Sequence, residues 1–162
     1  MRINQLADSV TNLNSDTIGC ARLSSVAQIE NTQLHFSGIH DVATAHAEVL
    51  PRLVKEALRA SNEIDEVVVG MGPGPFTGLR VGITFAQTFA HARNITWRGA
   101  CSLDAIDIDS ASYIVTSDAR RKELYWAKYE NGLRVEGPFV SAPEEVAARK
   151  ENIFGFGFTE PI

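Results

Sequence analysis

Gly72-Pro73-Gly74-Pro75-Phe76-Thr77-Gly78 is the stretch whose residue types come closest to a chemical site. A glycine loop between a β-branched run (Val67, Val68, Val69) and a helix is how many α/β proteins hold a phosphate. Such a cradle needs consecutive backbone N–H groups aimed at the anion, and usually a lysine point charge. Here Pro73 and Pro75 each delete a donor, no lysine follows Gly78, and the pattern GxxxxGK[ST] is absent. Arg80 and the helix dipole leave only a weak pull on an anion. A rigid turn that packs against something is the better reading.

The other candidates carry less. Asp8-Ser9 and Asp118 could serve as carboxylates that hold a metal or orient a phosphate. A site of that kind needs several convergent ligands, and no second acid falls at a matching position. Asp8 then caps a turn, and Asp118 opens a β-turn before Arg120. His40, His46 and Glu48 invite a metal check. The six-residue step between the histidines sets them about 600° apart on a helix, so they would not share one face. HEXXH and GxSxG are both missing. Cys20 and Cys101 form no CxxC pair and read as small core residues. No catalytic residue, metal site or cofactor is expected.

Composition sets the frame for these residues. With 162 residues the chain has room for one domain or two small lobes. A compact chain of this size buries roughly 68–70% of its unfolded surface and needs no disulfide or metal staple. The formal net charge of -5 gives no general attraction for nucleic acid. Any RNA contact requires a partner or a local basic patch, and the dense basic cluster is Arg120-Arg121-Lys122. No apolar run reaches the roughly eighteen residues of a membrane span, and the first residues do not read as a signal peptide. A cytoplasmic protein with reduced thiols is expected.

The elements that would position the loop follow from periodicity. Thr17 to Leu23 and Gln33 to Ile39 are predicted strands, with Ser24-Ser25 and Asn31 as turns and Met1 to Asp8 as a weak first strand. Val42, Val49, Leu50, Leu53, Val54, Ala57 and Leu58 recur at helical spacing up to Ser61-Asn62. Pro51 either kinks that helix or sits in its first turn. Val67 to Met71 is a buried strand, and Thr77 to Ala92 a second helix with almost no polar face. Asn94 to Trp97 leads into a connection, and Ser102 to Ile106 forms a short helix. Strands follow at Tyr113 to Thr116 and Glu123 to Tyr129, then an Asn131-Gly132 hairpin turn returning through Leu133 to Phe139. Pro143 with Glu144 and Glu145 reads as a helix entry.

Gly78, Gly82, Ala86 and Ala90 recur every four residues along the second helix. Interior glycines cost roughly 1 kcal/mol each relative to alanine, so close approach of another backbone would offset that loss. The approaching backbone can belong to this chain or to another one, and the pattern alone leaves both open.

His46-Ala47-Glu48 with Leu50-Pro51 resembles the segment that opens the first long helix of the TsaB (YeaZ) family. The stretch from Gly72 to Gly82, GPGPFTGLRVG, is similar to that family's glycine signature, with Pro75 where serine is usual. Ser102-Leu103-Asp104-Ala105 and the segment from Asp118 to Tyr125 also resemble family positions. The resemblance implies an α/β actin-like (ASKHA, ribonuclease-H-like) fold, a mixed sheet with helices. Residues 1–105 would form the first lobe and 106–162 a partial, truncated second lobe. It implies a non-catalytic subunit that supports a TsaD-like transferase and a TsaE-like ATPase in tRNA threonylcarbamoyladenosine modification. tRNA would be met only indirectly, through the complex, and a homodimer is also implied.

The family's partner face maps onto His46, Glu48, Leu50, Pro51, Leu53 and Val54 on the first helix. On the second it maps onto Thr77, Gly78, Arg80, Gly82, Ala86, Phe89 and Ala90, with Gly72 to Phe76 as a structural loop. Two other classes compete with this reading. One is a small-molecule phosphotransferase or ATPase of the same superfamily, which would bind nucleotide through Asp8 and the Gly72 loop. The other is a ribonuclease-H-like nuclease, which requires clustered acids.

Overall fold

The computed structural model describes residues 23–31, 33–41, 46–60, 63–106 and 108–156. The weak first strand, the strand expected from Thr17, Asp8-Ser9, Cys20 and the Ser61-Asn62 helix end therefore lie outside the described residues. The chain divides into two compact units, one ending at Ala100 and the other taking up the chain from Cys101.

In the first unit, β1 (Leu23–Glu30) and β2 (Gln33–Asp41) form an antiparallel pair. Ser24 and Ser25 were expected in a turn but lie inside β1, opposite His40 and Ile39. Ladder pairing overrides the weak local preference of serine there. Asn31 does form the turn, with φ 48.

Helix α1 (His46–Ala60) packs against β1 and β2. Its buried stripe is Val49, Leu53 and Ala57, spaced by four residues as a helix docking on a sheet requires. Gly38 on β2 makes room for it. A methyl there would stand 2.9 Å from Leu53 Cδ2 and 2.8 Å from the Phe36 ring. Pro51 lies inside the helix beyond its first turn, and the helix runs through it to Ala60. The proline is exposed, so water can take the carbonyl that it leaves without a donor.

Strand β3 (Glu66–Gly70) runs parallel to β4 (Thr96–Ala100), with Val67 opposite Trp97 and Val69 opposite Gly99. The residues Thr96 and Trp97 were read as part of a connection, yet they open this strand. Their β-branched and aromatic side chains fit a pleated surface once β3 supplies a partner. β3 is half-buried, not buried as its valines implied. Helix α2 (Phe76–Arg93) connects the two strands and packs on β3, β4 and α1.

The second unit begins with a 3₁₀ turn at Ser102–Ala105. Then come β5 (Ser112–Arg120), β6 (Glu123–Glu130), β7 (Leu133–Ser141), the short helix α3 (Pro143–Ala147) and β8 (Ile153–Phe156). The sheet order is β7-β6-β5-β8, with only the β5–β8 pair parallel. Central β5 is covered on both faces. Tyr113 and Val115 join Leu103, Ile106, Ala127 and Tyr129 on one side, and Ile114 joins Leu124, Trp126 and Val146 on the other. Asn131-Gly132 forms the expected tight turn with φ 50 and 74, both positive as a type I′ hairpin requires.

Candidate functional site: the glycine loop and the helices α1 and α2

The loop after β3 curls over one apolar side chain. Gly72 is buried at φ +94, and a methyl on it would stand 2.9 Å from Leu79 Cδ1. At Gly74 a methyl would sit 3.8 Å from the same carbon. Leu79, one turn into α2, therefore lies beneath the loop where a phosphate cradle would need open space. Only a residue free to adopt positive φ without a Cβ fits at Gly72. The Pro75 carbonyl accepts the Leu79 N–H at 3.0 Å, and no side chain caps the helix. At the strand end, Met71 N–H donates to the Ala100 carbonyl at 2.8 Å, and the Met71 side chain lies against Gly99. The loop is a turn wrapped around its own hydrophobic plug.

α2 has a polar face that its sequence conceals. Thr77, Arg80, Thr84, Gln87, Thr88 and His91 are all exposed, at the spacing of one helical side. The Thr88 hydroxyl donates to the Thr84 carbonyl at 2.8 Å. Arg80 lies 5.0 Å from the centre of the Phe76 ring, and Phe76 itself is 72% exposed. Phe85 and Phe89 stack at 6.1 Å, and Arg93 sits over Phe89 at 5.1 Å.

The small-residue ridge lies on the other side of this helix. Ala86 is 5% exposed and Ala90 0%. A methyl on Gly82 would be 4.0 Å from Val69 Cγ2, in ordinary contact with β3. Gly78 is half-buried. On α1, Leu53 is inside, Leu50 and Val54 are half-buried, and Glu48 and Pro51 are exposed. His46 is the first residue of α1. The structure thus sorts the sequence-predicted face into residues that hold the helices down (Leu53, Ala86, Ala90) and residues that look outward (Glu48, Pro51, Thr77, Arg80).

The remaining candidates resolve into structural roles. Asp118 Oδ1 accepts the Arg120 N–H at 2.7 Å, as a turn residue does. Burial pushes the Cys101 thiol above its ordinary range, which makes it a poor nucleophile. Among the described residues no group of three or more His, Cys, Asp or Glu side chains could hold a metal ion. No helix among them is long and apolar enough to cross a membrane.

One residue was missed as a site. Asp104 accepts the Tyr129 hydroxyl at 2.9 Å and pairs with Arg134 Nε, also at 2.9 Å. Burial first, and then the Asp104 charge, drive the Tyr129 phenol far above the ordinary tyrosine value. Arg134 also donates to the Gly137 carbonyl at 3.0 Å. The partners are 25 and 30 residues away in sequence, so no local pattern could reveal them.

A glycine loop plugged by leucine, leading into a helix on a parallel strand pair, defines an α/β domain. The family model described as "TsaD: tRNA N6-adenosine threonylcarbamoyltransferase" matches residues 23–160. Among relatives, an uncharacterised protein of Mycobacterium leprae is 45% identical over 135 residues, covering 74% of this chain and 38% of its own length. The tRNA threonylcarbamoyladenosine biosynthesis protein TsaB of Escherichia coli is 33% identical over 134 residues, 68% of this chain and 58% of that protein. A Pseudomonas aeruginosa crystal structure, of a protein with similarity to peptidase YEAZ, superimposes with a TM-score of 0.68 at 26% identity. It covers 83% of this chain and 70% of that one.

The chain belongs to the TsaB (YeaZ) family, with the TsaD-type fold that the two share. It spans about half the length of the curated relatives that it matches, from 38% to 58% in the two proteins described above.

Proposed function

We propose that this chain is a non-catalytic scaffold subunit in tRNA N6-threonylcarbamoyladenosine formation, pairing with a TsaD-like transferase and working beside a TsaE-like ATPase. Three TsaB-named relatives, from Escherichia coli, Bacillus subtilis and Haemophilus influenzae, support a part in tRNA threonylcarbamoyladenosine biosynthesis. The architecture is read as actin-like (ASKHA), with the ancestral nucleotide loop converted to a packing element. The location is the cytoplasm, and tRNA meets the assembly mainly through the transferase.

The observation that carries the scaffold reading is the contrast around Phe76. Inward, Leu79 lies against the loop and the two prolines each remove one of its donors. Outward, an exposed phenylalanine with an arginine on its ring begins the exposed polar face of α2. Exposed aromatic and arginine side chains are the types enriched at protein interfaces. The partner face then comprises Phe76, Thr77, Arg80 and Thr84 with Glu48 and Pro51, and a homodimer uses the same face in the absence of the transferase.

The test is size-exclusion chromatography with light scattering on the chain mixed with the transferase of its own organism. A one-to-one complex is expected. The double variant Arg80→Glu/Thr84→Glu should lose it while its melting temperature stays within about 2 °C of the parent, since both positions are exposed. Unchanged association of that variant overturns the face. Micromolar ATP binding by the isolated chain would instead favour a phosphotransferase or ATPase.

A further inference from the structure

We infer that the tip of the β5–β6 hairpin is an RNA-phosphate contact of the assembled complex, an inference that rests on the function proposed above. Arg120 faces Glu123 across the ladder, and Arg121 and Lys122 form the two-residue turn. All three cations are exposed, and none has an ion-pair partner among the described residues. Two carboxylates, Asp118 and Glu123, stand near the three cations, so the tip keeps a net positive charge and its cationic side chains remain free to reach outward. Asp118 is turned onto the Arg120 backbone N–H, and Glu123 makes no ion pair.

The backbone adds a second observation. Arg120, Arg121 and Lys122 all hold left-handed conformations, with φ of 64, 54 and 65. The next turn in the same sheet meets the same geometric demand with Asn131-Gly132, the residues that adopt it most readily. Three consecutive long cations in that conformation are a costly choice for a mere connector. Sparsely populated backbone held at an exposed tip marks a functional position.

The chemistry selects the partner class. No apolar residue stands among the three, and a protein interface buries an apolar or aromatic core from which lysine is depleted. Phosphate contacts need only arginine and lysine side chains reaching out, and they require no complementary pocket. The chain as a whole is acidic, at -5, so contact with a polyanion is confined to such a patch.

The experiment uses the chain in complex with its transferase and an end-labelled, unmodified tRNA transcript, titrated by fluorescence anisotropy across a salt series. The double variant Arg121→Asn/Lys122→Gly removes two charges while installing the preferred turn, so it should melt no lower than the parent. RNA affinity should fall about tenfold or more, and the slope of log affinity against log salt should become shallower by roughly 1.5. Arg121→Lys, which keeps the charge, should retain affinity within about twofold. A complex that forms normally and binds RNA with unchanged affinity and slope overturns the tip assignment alone. Loss of transferase association by the double variant in RNA-free buffer reassigns the tip to a protein contact and also overturns it. Absence of any complex with the parent chain removes the functional reading and the inference together.

Discussion

Beyond Cys101, three long cations are held inside their own unit, while Arg120, Arg121 and Lys122 at the β5–β6 tip make no ion pair. Arg134 is held by Asp104, Arg149 by both oxygens of Glu136 while lying over Trp126, and Lys128 by Glu130 and Glu151. Between Leu23 and Ala100 the pattern differs. Arg98 pairs with Glu66, but Arg80 and Arg93 lie over phenylalanines of their own helix, and Met71, Phe76 and Trp97 keep much of their surface exposed. The carboxy-terminal unit builds two apolar clusters on one sheet. The amino-terminal unit buries Val49, Leu53, Ala57, Ala86 and Ala90, and both units leave large apolar side chains exposed, Leu133 and Val135 among them beyond Cys101. Each unit is therefore held by its own contacts, and substitutions should separate the stability of the two.

The largest effect is expected where the carboxy-terminal unit depends on one carboxylate. Asp104→Ala leaves the Tyr129 hydroxyl and the Arg134 guanidinium without their partner. Its cost should be about 2–3 kcal/mol, below the range for fully buried pairs because both charges are partly exposed. Urea unfolding monitored by tryptophan fluorescence reads it directly, and a loss under about 1 kcal/mol would show that the unit tolerates an unpaired phenol. Burial of Tyr129, with the Asp104 charge beside it, also sets an alkaline limit. Because the folded Tyr129 holds its proton more tightly than the unfolded one, its contribution is fully present below the ordinary value of 10.0. Above that pH the unfolded state ionises first and stability falls. Tyr129→Phe should flatten that alkaline decline in a pH series of thermal melts.

A smaller loss is expected in the amino-terminal unit at Gly72→Ala. The change imposes a Cβ at φ +94 and drives it onto Leu79. A cost of about 1–3 kcal/mol is expected, with the flexible leucine end absorbing part of the clash. Hydrogen exchange should show the damage confined to the loop and the first turn of α2. Uniform loss of protection across both units would contradict the separation argued above.

Much of this arrangement was legible in the residues. The helical spacing of Val49, Leu53 and Ala57, the valine run before the loop and the Asn131-Gly132 turn each follow from one local rule, and each stands where expected. The loop was legible by elimination, since prolines cannot donate. What escaped was non-local. Thr96 becomes a strand residue only because β3 lies beside it, and Asp104 gathers partners from β6 and β7. The exposed face of α2 escaped for another reason. Threonines and glycines blur the contrast between its sides, so a helix with one wet face looked apolar all round. The basic tip was visible as composition, but its left-handed backbone was not.

Gly82→Ala is expected to have the smallest effect, and it bears most closely on why the small-residue ridge exists. A methyl there meets nothing nearer than Val69 Cγ2 at 4.0 Å, so the unit itself has room for it. Alanine gains up to about 1 kcal/mol over glycine inside a helix, and the isolated chain should melt slightly higher. If the ridge serves only the chain's own sheet, affinity for the transferase will follow the parent value. If a partner backbone must also come close, the same methyl will stabilise the monomer while weakening the complex. Thermal melts and titration calorimetry on one protein preparation distinguish these outcomes, because a side chain that only packs inward cannot move the two readings in opposite directions.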